Sequence, residues 1–361
     1  TVCCLGGLAR FPGLRGGMPL SGGFRLYAHA IAGAFARRAA PPDCAGQAWV
    51  NAVRSALQPS DGETALPKAT ANGIEIHYEE RGDAANPPML LIMGFGAQLT
   101  LWPEELVDAL VERGFRVIRY DNRDVGLSQK FDGVKAPGIV KMTLLSKIGL
   151  KPKVPYTLAD MADDGAGLLD ALGIDKAHIV GASMGGMIAQ HFAARHADKC
   201  LSLTSIFSTT GNPKLPAAKP EAMKALITRP ASSDEDALVD HGMMLARTIG
   251  SPGYPAAEDH LRERTRASVQ RSFYPEGPTR HLSAIVADGD RREMLKQIAV
   301  PTLVLHGEDD PLVPCEGGRD TAATIPGARI RTIPGWGHDL PVELVDDIAD
   351  AVATHARSAA E

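Results

Sequence analysis

Cysteine is scarce in this chain, with five residues in 361. The five are scattered and form no Cys-x-x-Cys pair, which argues against a disulfide framework or a zinc site. Asn-x-Ser/Thr sequons are absent, and this mildly favours a reducing, cytoplasmic setting. No apolar run approaches about 18 residues, so the sequence predicts no membrane-spanning helix. The cysteines are Cys3, Cys4, Cys44, Cys200 and Cys315.

Positive charge is also in short supply. The chain has 38 lysines and arginines against 43 aspartates and glutamates, and its net charge is −5. Nucleic-acid binding needs clustered cations on the folded domain, so the sequence predicts no nucleic-acid partner. No G-x-G-x-x-G or Walker-type loop follows a strand, and we expect no nucleotide and no other cofactor.

A metal site is not expected either. His191 and His196 stand five residues apart on a predicted helix, whereas a zinc-binding H-E-x-x-H motif spaces its histidines by four. We interpret both as residues of the helix surface.

The chain divides into three parts by composition and pattern. Residues 1–66 are rich in glycine, alanine and arginine, and we expect a low-order N-terminal segment, with a targeting segment as the alternative. Residues 67–210 and 296–361 alternate short β-branched runs with helical patterns, which predicts an α/β core with a mostly parallel central sheet and helices on both faces. Residues 211–295 read as several helices without a strong strand, and we interpret them as an inserted helical cap.

Seven strands are expected in the core, the first of them at a sheet edge. Residues 131–155 interrupt the alternation and are interpreted as a mobile flap, or alternatively as a long surface connection. Thr157 and Asp160 resemble a capping box that opens a helix. The predicted strands are Ile74–Tyr78, Met89–Met93, Phe115–Tyr120, His178–Val180, Leu201–Phe207, Thr302–His306 and Arg329–Ile333.

The segment Gly181-Ala-Ser-Met-Gly-Gly186 carries the strongest chemical signal. It follows a predicted strand and precedes a predicted helix, which is the context that a G-x-S-x-G nucleophile elbow requires. Glycines on either side of Ser183 permit the close approach of strand and helix, and the serine is held in a strained turn. The backbone N–H of Met184, at the start of the helix, can stabilise an oxyanion. A glycine-rich turn of any α/β protein is the alternative reading.

A serine nucleophile needs a base and an orienting acid, in the chain order serine, acid, histidine. Asp310 is the preferred acid because it lies deepest in its loop, next to a proline of fixed φ, and Asp309 and Glu308 remain alternatives. His338 lies in a Gly-flanked turn after a predicted strand and is the expected base; a solvent-exposed loop histidine is the alternative.

The second oxyanion donor is expected from the loop that follows strand Met89–Met93. The glycines of this loop let the chain turn its N–H groups toward the site, and we predict Phe95 N–H as the donor, with a merely flexible turn as the alternative. Gly94 is predicted to contact substrate. Met184 and Met243 are candidates for the lining of an apolar acyl or alkyl pocket.

These motifs together resemble the α/β-hydrolase fold family over about residues 70–357. Further segments contribute to the resemblance: YDNRDVGLS at Tyr120–Ser128 is similar to the family's D-x-R-x-x-G-x-S loop, HGEDDPLVP at His306–Pro314 to its acid loop and GWGHDLP at Gly335–Pro341 to its histidine loop. The resemblance implies a catalytic triad of Ser183, Asp310 and His338.

A narrower resemblance is to the esterase branch that includes aclacinomycin methylesterase-type enzymes, through LIMGFG, YDNRDVGLS, GASMGGMIAQ and LTSIFSTTGNP. It implies oxyanion donors at Phe95 and Met184. The chain departs from the common family His-Gly at Met93-Gly94, so the hydrogen bond that this histidine would make is missing.

The sequence therefore predicts a serine esterase that hydrolyses a small-molecule ester through an acyl-enzyme, without a cofactor. The same triad could open lactones, cleave carbon–carbon bonds of diketones or perform cofactor-free perhydrolysis. A non-enzymatic binding protein on the same scaffold is the third hypothesis. The sequence leaves the oligomeric state and the substrate preference open.

Overall fold

The computed structural model describes residues 67–138, Met142 and residues 152–359. The predicted N-terminal segment 1–66 lies outside the described residues. So do residues 139–141 and 143–151, which form much of the predicted flap.

An eight-stranded sheet forms the centre of the described chain, in the order β1-β2-β4-β3-β5-β6-β7-β8. Strand β2 runs antiparallel to β1 and β4, and all other neighbours are parallel. This confirms the predicted mostly parallel sheet. The prediction that the strand at Ile74–Tyr78 lies at the edge is wrong, because β1, which the sequence did not indicate, pairs with its outer side. The strands are β1 Lys68–Ala71, β2 Ile74–Arg81, β3 Pro88–Ile92, β4 Arg116–Tyr120, β5 Ala177–Ala182, β6 Cys200–Ile206, β7 Thr302–Gly307 and β8 Arg329–Ile333.

Helices cover both faces of the sheet because its central strands are apolar on both sides; every residue of β5 and of β7 is buried. Helices α2 and α3 pack on one face through residues such as Leu168 and Phe192. Helices α1 and α10 pack on the other through Leu110 and Val352. The helices of the core are α1 Glu104–Glu112, α2 Leu158–Ala171, α3 Met184–Arg195, α9 Glu316–Thr324 and α10 Val345–Ser358.

The helix ends follow local chemistry. Thr157 and Asp160 form the predicted capping box of α2: Thr157 Oγ1 accepts from Asp160 N at 3.1 Å, and Thr157 N donates to Asp160 Oδ2 at 2.7 Å. Helix α1 begins at Glu104, directly after Trp102 and Pro103, whose backbone is extended.

Five helices and no strand lie between β6 and β7, which agrees with the helical pattern of residues 211–295. Helix α7 is attached to the core by a buried ion pair, in which Arg280 Nε and Nη2 donate to the Asp124 carboxylate at 2.7 and 2.9 Å. Arg271 of α6 lies 2.8 Å from Asp121 Oδ2. The helices are α4 Pro220–Ile227, α5 Glu235–Ile249, α6 Glu258–Arg271, α7 Glu276–Asp288 and α8 Arg292–Leu295.

Asp124 is ionised in this buried position. Burial opposes its ionisation, but hydrogen bonds from Arg280 and the Tyr156 hydroxyl outweigh burial, so the pKa of Asp124 lies below its ordinary value. The attachment of α7 to the core is therefore a charged one.

Candidate active site

Ser183 stands on the turn between β5 and α3, at φ 58° and ψ −120°. A positive φ is costly for a residue with a side chain and persists only where the surroundings enforce it. Here Ser183 N donates to Ile206 O at 3.0 Å, and Ser208 Oγ donates to Ser183 O at 2.8 Å. The structure therefore has the strained serine turn that the sequence motif predicts.

Gly185 allows this turn to be tight. A Cβ placed on Gly185 would lie 2.0 Å from Ile92 O, which no side chain could occupy. Helix α3 thus begins in direct contact with the end of β3, and the loop that follows β3 is brought beside Ser183.

His338 and Asp310 reach Ser183 from two loops at the same edge of the sheet, after β8 and β7. Ser183 Oγ lies 2.9 Å from His338 Nε2, and His338 Nδ1 lies 2.6 Å from Asp310 Oδ2. Asp310 Oδ1 accepts from the backbone N–H groups of Leu312 and Val313, both at 2.8 Å. The carboxylate is thus fixed by its own loop and presents its second oxygen to the imidazole.

The two alternative acids bind other groups. Asp309 Oδ2 accepts from Gly335 N at 2.7 Å, and Glu308 Oε1 accepts from Thr332 Oγ1 at 2.7 Å. Of the three acids, Asp310 is therefore the one whose carboxylate contacts His338.

A second histidine lies beside Asp310. His306 Nε2 donates to Val313 O at 2.8 Å and is 3.7 Å from Asp310 Oδ2. Burial lowers the pKa of His306, so its ring is neutral at neutral pH. His306 thereby supports the loop that carries the acid without adding a charge to it.

Contacts from the inserted helices and from Phe207, which follows β6, hold His338. The backbone N–H of His338 donates to Ile249 O, at the end of α5, at 2.8 Å. Its ring lies against Phe207, with centroids 4.7 Å apart. Ser251 joins the same loop at two points, since its hydroxyl donates to Asp339 and accepts from Gly337 N. Sequence reasoning missed Ser251, which follows α5 and carries no motif.

The loop after β3 lies directly against the serine. A Cβ on Gly94 would be 3.0 Å from Ser183 Cβ and 3.1 Å from Ala182 O, so Gly94 borders the nucleophile. Asn122 Nδ2 donates to Met93 O at 2.8 Å and fixes the beginning of this loop.

The predicted oxyanion donors lie on either side of Ser183 along these elements. Phe95 follows Gly94 in the loop. Met184 is the first residue of α3, where a backbone N–H has no partner within the helix. Met243, by contrast, is buried within α5, and its sulfur is 3.9 Å from Thr265 Oγ1 of α6.

The predicted surface position of His191 is wrong. His191 is buried between α3 and α7, where its Nε2 contacts Asp288 Oδ1 at 2.8 Å. His196 Nε2 contacts Asp163 at 2.8 Å. Among the residues that the structure describes, no cluster of three or more histidine, cysteine, aspartate or glutamate side chains could hold a metal ion.

Within the same described residues, no helix is both long enough and apolar enough to cross a membrane.

Comparison with known families identifies the class of this protein. A family model described as alpha/beta hydrolase fold matches residues 87–252, and a second, described as TAP-like protein, matches residues 284–354. The chain therefore has an α/β-hydrolase fold, as its motifs and its sheet order indicate.

The individual relatives of the chain include named esterases. The chain is 29% identical to rhodomycin D methylesterase DauP of Streptomyces sp. (strain C5), over 80% of this chain and 97% of that protein. It is 26% identical to the bifunctional esterase/perhydrolase DCH of Acinetobacter calcoaceticus, over 80% and 98%. Among solved structures, the enol-lactonase from Burkholderia xenovorans LB400 matches with a TM-score of 0.58 and 28% identity, over 81% of this chain and all of that one. The relatives are thus esterases and related hydrolases.

Proposed function

We propose that this protein is a serine esterase that hydrolyses carboxylic esters of small molecules through an acyl-enzyme intermediate. Ser183 is the nucleophile, His338 the general base and acid, and Asp310 the residue that orients the imidazole. Phe95 and Met184 supply the oxyanion N–H groups. The reaction needs no cofactor, and we propose the cytoplasm as its setting.

In the acylation step, Ser183 Oγ attacks the ester carbonyl carbon while its proton passes to His338 Nε2. The carbonyl oxygen takes up the negative charge and is stabilised by the N–H groups of Phe95 and Met184. When the tetrahedral intermediate collapses, the C–O bond of the ester breaks and the alcohol leaves with the proton from His338. Asp310 stabilises the imidazolium between these events without taking its proton.

In the deacylation step, water takes the place of the alcohol. His338 removes a proton from the water as it attacks the acyl carbon, and then returns a proton to Ser183 Oγ as the carboxylic acid is released. The sum is ester plus water giving acid plus alcohol.

One observation carries this proposal: an unbroken chain of contacts from Ser183 Oγ to His338 Nε2 at 2.9 Å and from His338 Nδ1 to Asp310 at 2.6 Å. It coincides with the strained φ of Ser183 and with a free helix N-terminus at Met184. A serine hydroxyl elsewhere in a fold has no need of all three features.

The test is hydrolysis of short p-nitrophenyl esters by the wild type and by Ser183→Ala. We expect kcat to fall about 10⁶-fold, because loss of the nucleophile removes most of the catalytic power of such a triad. A fluorophosphonate should add one label to the wild type, seen by intact mass, and none to Ser183→Ala. Undiminished turnover by the variant would remove the serine from the mechanism. An unlabelled wild type that also lacks turnover would favour a binding protein.

Residues 211–295 are proposed as the cap over this site, with Gly94 as a substrate contact. The acyl preference can be measured with a panel of esters of graded chain length. The panel should include methyl esters of bulky polycyclic acids, since the relative DauP is named as a methylesterase of rhodomycin D. Faster turnover of these esters than of short-chain esters would support a methylesterase.

A second candidate function uses the same catalytic residues on a different acyl donor, or transfers the acyl group to a different acceptor. The similarity to an enol-lactonase and to an esterase/perhydrolase favours lactone opening or perhydrolysis, in which hydrogen peroxide replaces water in deacylation. A lactone hydrolysed orders of magnitude faster than any simple ester would overturn the first candidate.

A further inference from the structure

The loop from Met93 to Ala97 carries the proposed donor Phe95 and is a tight turn. Ala97 N donates to Gly94 O at 3.3 Å, and Gly96 has a left-handed φ of 63°. The next amide along the turn, Gly96 N–H, donates to His281 Nδ1 at 3.2 Å. His281 belongs to α7, so a residue of the inserted helices binds the turn directly.

Both ring nitrogens of His281 are in use. Nε2–H donates to the backbone oxygen of Arg123 at 2.8 Å, which leaves Nδ1 as the acceptor for Gly96. The ring is buried, and burial lowers the pKa of His281 to about 4, so it is neutral at neutral pH. The ring of Phe95 meets that of His281 edge-on, with centroids 6.3 Å apart. The position and the tautomer of this histidine are thus fixed.

We propose that His281 is a positioning residue for the oxyanion hole. By accepting the Gly96 N–H it fixes the peptide plane between Phe95 and Gly96, and this plane restrains the turn that carries the Phe95 N–H. It also occupies the neighbouring amide, so that the Phe95 N–H is the one that remains for the oxyanion. Met93 stands where the family commonly has histidine, and its side chain makes no comparable hydrogen bond. The proposal rests on the function proposed above.

Two substitutions separate the two hydrogen bonds of the ring. In His281→Asn the amide oxygen falls near the position of Nδ1, so an acceptor for Gly96 N–H is kept while the donor to Arg123 is lost. In His281→Gln the amide nitrogen falls near the position of Nε2, so the donor to Arg123 is kept while the acceptor for Gly96 is lost. A role in packing alone would affect the two variants alike.

We expect His281→Gln to lower kcat for an ester about 10-fold with KM within about twofold, because removing an oxyanion donor outright costs about 10²- to 10³-fold and this change only misdirects one. His281→Asn should keep kcat within about threefold. A trifluoromethyl ketone adds to the serine and places its oxygen in the oxyanion hole. Its inhibition constant should therefore rise in His281→Gln by the same factor as kcat falls.

His178→Gln is the matched control. His178 is also buried, has a pKa lowered to about 4 and contacts a hydroxyl, Ser202 Oγ, at 2.9 Å, but it lies at the opposite end of β5 from Ser183. This variant should lower Tm and leave kcat and the ketone inhibition constant unchanged.

Three results would overturn the proposal. Equal losses of kcat in the asparagine and glutamine variants, in proportion to their losses of Tm, would reduce His281 to a packing residue. If the glutamine variant keeps the wild-type kcat while fluorophosphonate still labels Ser183 of the wild type, the positioning role of His281 is rejected and the serine mechanism stands. Failure of the wild type itself to be labelled or inhibited would reject both this proposal and the serine mechanism.

Discussion

A methyl group added at Gly94 would press on Ser183 more than on any other part of the fold. The new Cβ would lie 3.0 Å from Ser183 Cβ, 3.1 Å from Ala182 O and 3.5 Å from Ser183 Oγ. Carbon atoms in favourable contact are about 3.5–4.0 Å apart, so the loop and the serine must separate by roughly 0.5 Å. Ser183 cannot yield by turning its backbone, because it is already held at φ 58°.

We expect Gly94→Ala to lower kcat about 10- to 100-fold, since a misplacement of about 1 Å can cost about 10²-fold in rate. The free energy of unfolding should change little. Gly94 does not have a left-handed φ, so alanine restricts the unfolded chain and recovers about 0.4–1 kcal/mol, which offsets a comparable local strain.

The measurement combines steady-state kinetics on an ester with thermal unfolding. Gly138→Ala is the control, because a Cβ there meets no heavy atom of the described residues within 4 Å and the φ is again not left-handed. The reasoning would be refuted by wild-type kcat in Gly94→Ala. It would also be refuted by a loss of Tm large enough to explain the lost activity through unfolding.

Two further predictions concern the acid and the pH. Asp310→Asn should lower kcat about 10⁴-fold. Asp309→Asn should keep kcat within a few-fold of the wild type, because Asp309 binds Gly335 rather than the imidazole. Steady-state kinetics measures both, and similar losses of kcat in the two variants would contradict the assignment of the acid. Burial lowers the pKa of both His178 and His281 to about 4 from about 6.5, so the unfolded chain binds more protons than the native one as the pH falls through this window. Between pH 7 and pH 5 each histidine should therefore lower the free energy of unfolding by about 2 kcal/mol. Urea denaturation at the two pH values measures this loss, and His178→Gln should show about 2 kcal/mol less of it than the wild type. A variant with the full pH dependence of the wild type would refute the prediction.

Short sequence motifs were enough to predict most residues of the candidate site. Ser183 is flanked by the glycines that a strand-to-helix turn needs, and His338 and Asp310 follow strands whose β-branched runs are plain in the sequence. Parallel strands end at one edge of the sheet, so these loops had to converge there. The sheet was predicted for the same reason, except for β1, whose four residues KATA alternate polar and apolar but are too short, and have only alanine as the apolar residue, to indicate a strand.

Contacts between distant segments could not be predicted in this way. The bond from Gly96 to His281 spans 185 positions of sequence, and a lone histidine in a helical pattern gives no sign of its partner. The same limit explains why His191 was expected on a surface, since Asp288 lies 97 positions away. Met243 was grouped with the site by residue type alone, and its sulfur faces Thr265.

The ion pair between Arg280 and Asp124 restricts how substrate preference could be re-engineered. A chimera that exchanges residues 211–295 for the same segment of another hydrolase would discard Arg280 and leave the Asp124 carboxylate buried without its cation. Losing one member of such a pair costs about 3–5 kcal/mol, a large share of the roughly 5–15 kcal/mol that stabilises a domain. Grafts should therefore retain helix α7, and for the same reason Arg271, whose guanidinium lies 2.8 Å from the buried Asp121 carboxylate. They should also retain Ile249 and Ser251, which hold the loop of His338.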